Sequence, residues 1–160
     1  EKGVGTTFIT EIPLKLDPAA SDAEKPEEEI DTTVFRGLHV LLVEDNEVNM
    51  EIAAFLLEDS GAEVTKAWNG AEGLEKFKAS APGTYDLILM DIMMPVMDGL
   101  EAVQHIRALD RPDAKTVPII AMTANAFSED VERSRKAGMT EHLSKPLNAE
   151  TLKKAILRNI

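Results

Sequence analysis

Tyr85-Asp-Leu-Ile-Leu-Met-Asp91 contains an apolar run that ends on a carboxylate, and His39-Val-Leu-Leu-Val-Glu-Asp45 contains a second that ends on two. Apolar runs without polar alternation mark strands covered on both faces, the arrangement of a parallel sheet. With the two strands as neighbours in one sheet, Glu44, Asp45 and Asp91 converge outside its carboxyl edge, where open α/β sheets bind ligands. The expected result is a cation pocket around one potential nucleophile, Asp91.

Outward from these runs, strand and helix patterns alternate five times from residue 38. Strands are expected over 38–43, 62–66, 86–90, 117–122 and 141–143. Between and after them, Val48, Ile52, Phe55 and Leu56 recur at helical spacing, with polar residues on the other faces. The same spacing joins Leu74 to Phe77, Leu100 to Val103 and Ile106, Phe127 to Val131, and Leu152 to Ala155 and Ile156. Right-handed crossovers put such helices on both sides of the sheet. The expected domain is an α/β (βα)5 unit.

A length of 160 residues, no Cys and 44% hydrophobic content suit one such domain with an extension. Disulfides and thiolate metal sites are excluded. No apolar stretch approaches the roughly 18 residues of a membrane span, and no signal peptide opens the chain. A cytoplasmic protein without direct membrane contact is expected. The net charge of −12 argues against a nucleic-acid partner and favours cations and basic surfaces.

Half of that charge lies in residues 1–35, where nine acids face Lys2, Lys15 and Lys25. Residues 17–36, with Pro18, Pro26 and hardly any large apolar groups, read as an acidic linker. Before them, Phe8, Thr10, Ile12 and Leu14 alternate with Ile9 and Glu11, a strand over 1–16 stopped by Pro13 and Pro18. A lone strand cannot bury its own face. It belongs to something upstream, or it docks on the domain.

Four strands end on polar groups: Glu44-Asp45, Asp91, Thr123 and Lys145. Two carboxylates about 4 Å apart repel by roughly 4 kcal/mol at an effective dielectric of about 20, so three need a counter-cation or a raised pKa. A hard divalent cation with oxygen ligands answers this. Mg²⁺ fits best, because it binds through few carboxylates and completes its shell with water and phosphate oxygens; Mn²⁺ is the alternative. Asp91 can then attack phosphorus to give an acyl phosphate, with Lys145 neutralising phosphoryl charge and Thr123 offering a hydroxyl. Taken singly, Glu44 could be a helix N-cap acid, Lys145 a surface lysine and Thr123 a strand-end hydroxyl. Their joint placement favours one site.

The stretches Val43-Glu-Asp-Asn-Glu-Val-Asn49, Met90-Asp-Ile-Met-Met-Pro-Val-Met-Asp-Gly99, Ala121-Met-Thr-Ala124 and Leu143-Ser-Lys-Pro146 closely resemble receiver domains of two-component signalling, over residues 37–160. The resemblance implies a flavodoxin-like, five-stranded parallel sheet in order 2-1-3-4-5. It implies phosphorylation of Asp91 and a metal held by Glu44, Asp45, Asp91 and the backbone carbonyl of Met93. Lys145, with a cis bond to Pro146, Thr123 and the backbone of Ala124 would meet the phosphoryl group.

The signatures are most similar to receivers fused to histidine kinases. Gly3-Val-Gly-Thr-Thr-Phe8 resembles the closing strand of a kinase ATP-binding domain. This implies the C-terminal part of a hybrid sensor histidine kinase, whose ATP site this chain does not contain and which can itself be membrane-anchored. The partners implied are a phosphohistidine donor, in the same parent chain or another, and a histidine phosphotransfer protein or downstream regulator.

In the resemblance, Thr123 moves toward the phosphoryl group and an aromatic residue three before the lysine turns inward; that position is His142. The fourth helix, fifth strand and fifth helix form the surface expected to change, a candidate partner or homodimer face. His39 reads as structural and His105 as a surface residue. Two other readings remain: a receiver-like binding module that is not phosphorylated, and an aspartate-nucleophile phosphatase. The phosphatase would want an acid two residues after Asp91, where Met93 stands.

Overall fold

A computed structural model describes residues 35–124 and 128–160, with backbone alone at 128–130. The strand expected within 1–16, nearly all of the linker expected over 17–36, and Phe127 lie outside the described residues. The elements run β1 His39–Val43, α1 Glu47–Glu58, β2 Glu63–Ala67, α2 Gly70–Ala79, β3 Leu87–Asp91, α3 Gly99–Arg107, β4 Ile119–Thr123, α4 Ser128–Ala137, β5 Glu141–Ser144 and α5 Ala149–Asn159. All five strands are parallel, in the order β2-β1-β3-β4-β5. This is the flavodoxin-like arrangement expected from the sequence.

β3 is the middle strand, and all five of its residues are buried. Alternate residues feed two cores. Val40, Leu42, Leu87, Leu89, Ile120 and Met122 pack with α1 and α5, while Leu41, Val43, Ile88, Met90, Ile119 and Ala121 pack with α2 and α3. Each fully buried Leu or Ile contributes about 1.5–3 kcal/mol, so a run apolar on both faces gains most in the centre of the sheet.

Capping residues start four helices. Asn46, Asn69, Asp98 and Asn148 each accept, through a side-chain oxygen, from the backbone N–H three residues on. A cap is worth about 1 kcal/mol and fixes where the helix begins. The loops at the carboxyl edge of β1, β2 and β5 are therefore short.

The structure differs from the expected elements at several points. β2 and β3 each sit one residue later, so Asp91 belongs to the strand itself. β4 begins at Ile119, two residues after the expected start, because Pro118 has no N–H to donate; its carbonyl still accepts from Ile88. Residues Pro112–Lys115 form a 3₁₀ turn that the sequence did not announce. Phe35, placed by sequence at the end of the linker, is 1% exposed in the core beside α1 and α5.

The largest difference is in α1. Its core face is Met50, Ala53, Ala54 and Leu57, while Val48 and Phe55 are each 65% exposed and Ile52 is also exposed. Both sets follow helical spacing. The two alanines allow close approach to the sheet, which decides the contest for the smaller set. Among the described residues, no helix is long and apolar enough to cross a membrane.

Candidate functional site

Strand register brings the polar ends together. Val43 pairs with Met90, so Glu44 stands level with Asp91; Thr123 pairs with Ser144, so Lys145 lies one step past β5. Backbone bonds carry the ladder into the loops: Glu44 N–H to Ala67 O at 3.0 Å, Ile92 N–H to Met122 O at 3.1 Å, and Lys145 N–H to Thr123 O at 2.8 Å. The Lys145–Pro146 bond is cis.

Gly99 closes the loop after β3. Its N–H donates to Ile92 O at 2.9 Å, and a Cβ there would stand 2.0 Å from Asp91 O. Only glycine lets the chain return that tightly against the nucleophile's backbone. Near the tip, Val96 takes φ 71, a left-handed conformation uncommon for a β-branched residue, and is exposed.

Glu44, Asp45 and Asp91 each offer an oxygen, and these atoms lie within 4.8 Å of one another. Glu44 and Asp91 are buried, and Asp45 is exposed. The ammonium of Lys145 lies 2.6 Å from Glu44 Oε2 and 2.8 Å from Asp91 Oδ2. Glu44 Oε1 accepts from Asn49 Nδ2 at 3.0 Å, whereas its buried Oε2, despite the nearby ammonium, has no hydrogen bond of sound geometry. Asp91 Oδ1 accepts from the Met93 N–H at 3.3 Å.

Burial pushes the Asp91 carboxyl above its ordinary pKa, and the charge of Glu44 adds to that push; Lys145 and the Met93 amide pull the other way. Burial would lower Lys145, but its hydrogen bond to Asp91 and its ion pair with Glu44 outweigh that and leave it raised. One lysine thus faces three acids. A hard divalent cation fits this set, which offers oxygen donors, excess negative charge and a buried carboxylate oxygen whose polar contact is the Lys145 ammonium.

The other expected site residues fall around this centre. Thr123 is buried at the end of β4, and Ala124 follows it exposed at the edge. His142 pairs with Ala121, two positions before Thr123, so strand alternation puts His142 and Thr123 on the same face of the sheet. The structure keeps the other two histidines away from the acids' edge. His39 opens β1 at the opposite end, 3.4 Å from Glu63 Oε2, and His105 lies on α3, 3.7 Å from Glu101 Oε1.

Sequence reasoning assigned no role to Asn49, which orients Glu44, nor to the exposed stripe of α1. Asn49 stands five residues after Glu44, a spacing that reaches back only because the Asn46 cap starts the helix there. In α1 helical spacing alone does not separate the exposed Val48, Ile52 and Phe55 from the buried Met50, Ala53, Ala54 and Leu57.

The response regulator receiver domain family matches residues 40–157. The aerobic respiration control sensor protein ArcB of Escherichia coli is 39% identical over 155 residues, which cover 95% of this chain and 18% of ArcB. The polar-differentiation response regulator DivK of Brucella anthropi is 40% identical over 118 residues, covering 71% of this chain and 92% of DivK. The chain spans less than a fifth of the length of ArcB and of the hybrid kinases of Dictyostelium discoideum that it also matches.

Among solved structures, the receiver domain of a sensor histidine kinase from Pseudomonas aeruginosa, crystallised with magnesium in its active-site cleft, superposes with a TM-score of 0.70 at 38% identity. It covers 77% of this chain and 97% of that one. With the parallel sheet, the acid cluster and the lysine in place, the chain belongs to the response regulator receiver domain family.

Proposed function

We propose that this chain accepts a phosphoryl group from a phosphohistidine onto Asp91 and holds it as a switch. The observation that carries this reading is a buried strand-end carboxylate bonded to one ammonium and flanked by two further acids. Oδ of Asp91 attacks phosphorus, the P–N bond breaks, and the donor imidazole leaves with the bonding pair. An O–P bond forms in its place. Lys145, held charged by Asp91 and Glu44, is already at the nucleophile to meet the negative phosphoryl oxygens.

Glu44, Asp45 and Asp91, with the Met93 carbonyl, would hold Mg²⁺, which would supply charge neutralisation to the transferring oxygens. Asn49 keeps Glu44 turned into the site. Thr123 and the backbone of Ala124 receive the remaining phosphoryl oxygens, and His142, on the face of Thr123, couples the change to β5 and its neighbours α4 and α5, a partner or homodimer face. The exposed Val48, Ile52 and Phe55 of α1, beside the acids that follow β1, offer an apolar seat for the donor protein.

The match to ArcB, extending over 95% of the chain, takes in the N-terminal segment and supports a place in a hybrid histidine kinase. The donor is then a kinase histidine, the next partner a histidine phosphotransfer protein or regulator, and the compartment cytoplasmic. Met93 gives no polar side chain to orient water, so the phosphoryl group is long-lived.

Incubation with acetyl phosphate and Mg²⁺, followed by intact mass, tests the reading. One added phosphoryl group is expected in the wild type, decaying over minutes or longer, and none in Asp91→Ala. No gain in the wild type, or the same gain in Asp91→Ala, overturns it.

A further inference from the structure

The chain has seven methionines, and their exposures differ sharply. Met50, Met90, Met94, Met122 and Met139 are buried and Met97 is half-buried, whereas Met93 is 77% exposed. Its backbone N–H donates to Asp91 Oδ1 at 3.3 Å, which roots this side chain at the nucleophile. A thioether is a weak acceptor, and it is the one group on this side chain that oxidation can convert to a strong one.

We propose that Met93 is a modification site: peroxide oxidises it to methionine sulfoxide, and the sulfoxide shortens the life of the phosphoryl group on Asp91. The sulfur gives an electron pair to one peroxide oxygen, an S–O bond forms and the O–O bond breaks. The departing hydroxide gains the proton left on the transferred oxygen and leaves as water. Sulfur is oxidised by two electrons and hydrogen peroxide reduced by two. Exposure gives selectivity, because the buried thioethers meet peroxide only when the core opens.

The functional effect follows from what the new oxygen can do. It accepts a hydrogen bond from water near residue 91, two residues away along the chain, where a thioether is too weak an acceptor to order one. A water ordered beside an acyl phosphate attacks it more often than bulk water does. The effect on lifetime rests on the phosphoacceptor reading above, whereas the site of oxidation does not.

Treatment with dilute hydrogen peroxide, followed by peptide mapping and a phosphoryl-decay assay, tests both parts. The expected result is one oxygen entering at Met93 before any other methionine, with the phosphoryl half-life falling by about threefold to tenfold, the equivalent of one hydrogen bond. Met93→Leu is expected to show the same half-life with and without peroxide. Oxygen entering first at Met97 or a buried methionine overturns the site, and an unchanged half-life after oxidation of Met93 overturns its effect. If untreated protein gains no phosphoryl group, the phosphoacceptor reading falls and the lifetime effect with it, while the oxidation map still decides the site.

Discussion

The ammonium of Lys145 lies 2.8 Å from Oδ2 of Asp91, with only 16% and 7% of the two side chains exposed. A buried charge that loses its partner is costly, by about 3–5 kcal/mol where no water can replace it. Lys145→Ala is expected to destabilise the protein toward the lower end of that range, because exposed Asp45 admits water to the site. Added Mg²⁺ is expected to restore much of the loss, since a cation then faces the same acids. Urea melts with and without Mg²⁺ check this; a loss indifferent to Mg²⁺ would show that the acids do not take up a cation.

Gly99 and Gly83 separate crowding from conformation. A Cβ on Gly99 would stand 2.0 Å from Asp91 O, while one on Gly83 meets nothing within 4 Å, although Gly83 has φ +80. Gly99→Ala is expected to cost more than about 4 kcal/mol, because backbone must move, and Gly83→Ala about 1–2 kcal/mol, the cost of a left-handed alanine. Thermal melts rank the two. Similar losses would contradict the tight return at Asp91.

Asp113 ties together the loops at the sheet's amino edge. It bonds Arg111 Nε at 2.6 Å and Nη2 at 2.7 Å, and accepts from Gly83 N–H at 2.8 Å. The Arg111 bonds, helped by the Gly83 amide, hold its pKa down to about 2. A carboxyl depressed on folding contributes stability above its unfolded pKa of about 3.9 and loses that contribution as pH falls toward about 2. The stability gap between wild type and Asp113→Asn, expected to be about 1–2 kcal/mol at neutral pH, should therefore shrink between about pH 4 and pH 2. Denaturant midpoints across that window check it, and a gap that widens on acidification would contradict it.

The sheet was legible because Val40–Val43 of β1 and Leu87–Met90 of β3 are buried on both faces, so each run stays apolar up to the strand end. The placement of the candidate site was legible for a related reason: Glu44, Asp45, Asp91, Thr123 and Lys145 stand at or just past strand ends, so sequence position gives spatial position. Groups that act across the fold were not. Arg111 stacks on Phe77, 4.2 Å from the ring centroid, and bonds its carbonyl 34 residues away; no local pattern encodes such a contact. In α1 two apolar stripes compete, and only packing against the sheet shows that Met50, Ala53, Ala54 and Leu57 win.

The same exposed stripe of α1 allows a test of donor docking. Ile52→Glu with Phe55→Glu places charge on the apolar seat without touching the core face, since both residues are exposed. Transfer from a phosphorylated histidine donor is expected to slow by at least about tenfold, the effect of about 1.4 kcal/mol, while phosphorylation by acetyl phosphate is unchanged. Equal slowing of both reactions would place the effect in the fold instead of the interface.

The central claim is that Asp91 becomes the acyl phosphate, and borohydride trapping tests it most directly. Borohydride reduces an acyl phosphate to the alcohol, which converts a phosphorylated aspartate to homoserine readable by peptide sequencing. After acetyl phosphate and Mg²⁺, homoserine is expected at position 91 alone. Homoserine at position 45, or none anywhere in protein that has gained a phosphoryl group, would contradict the account.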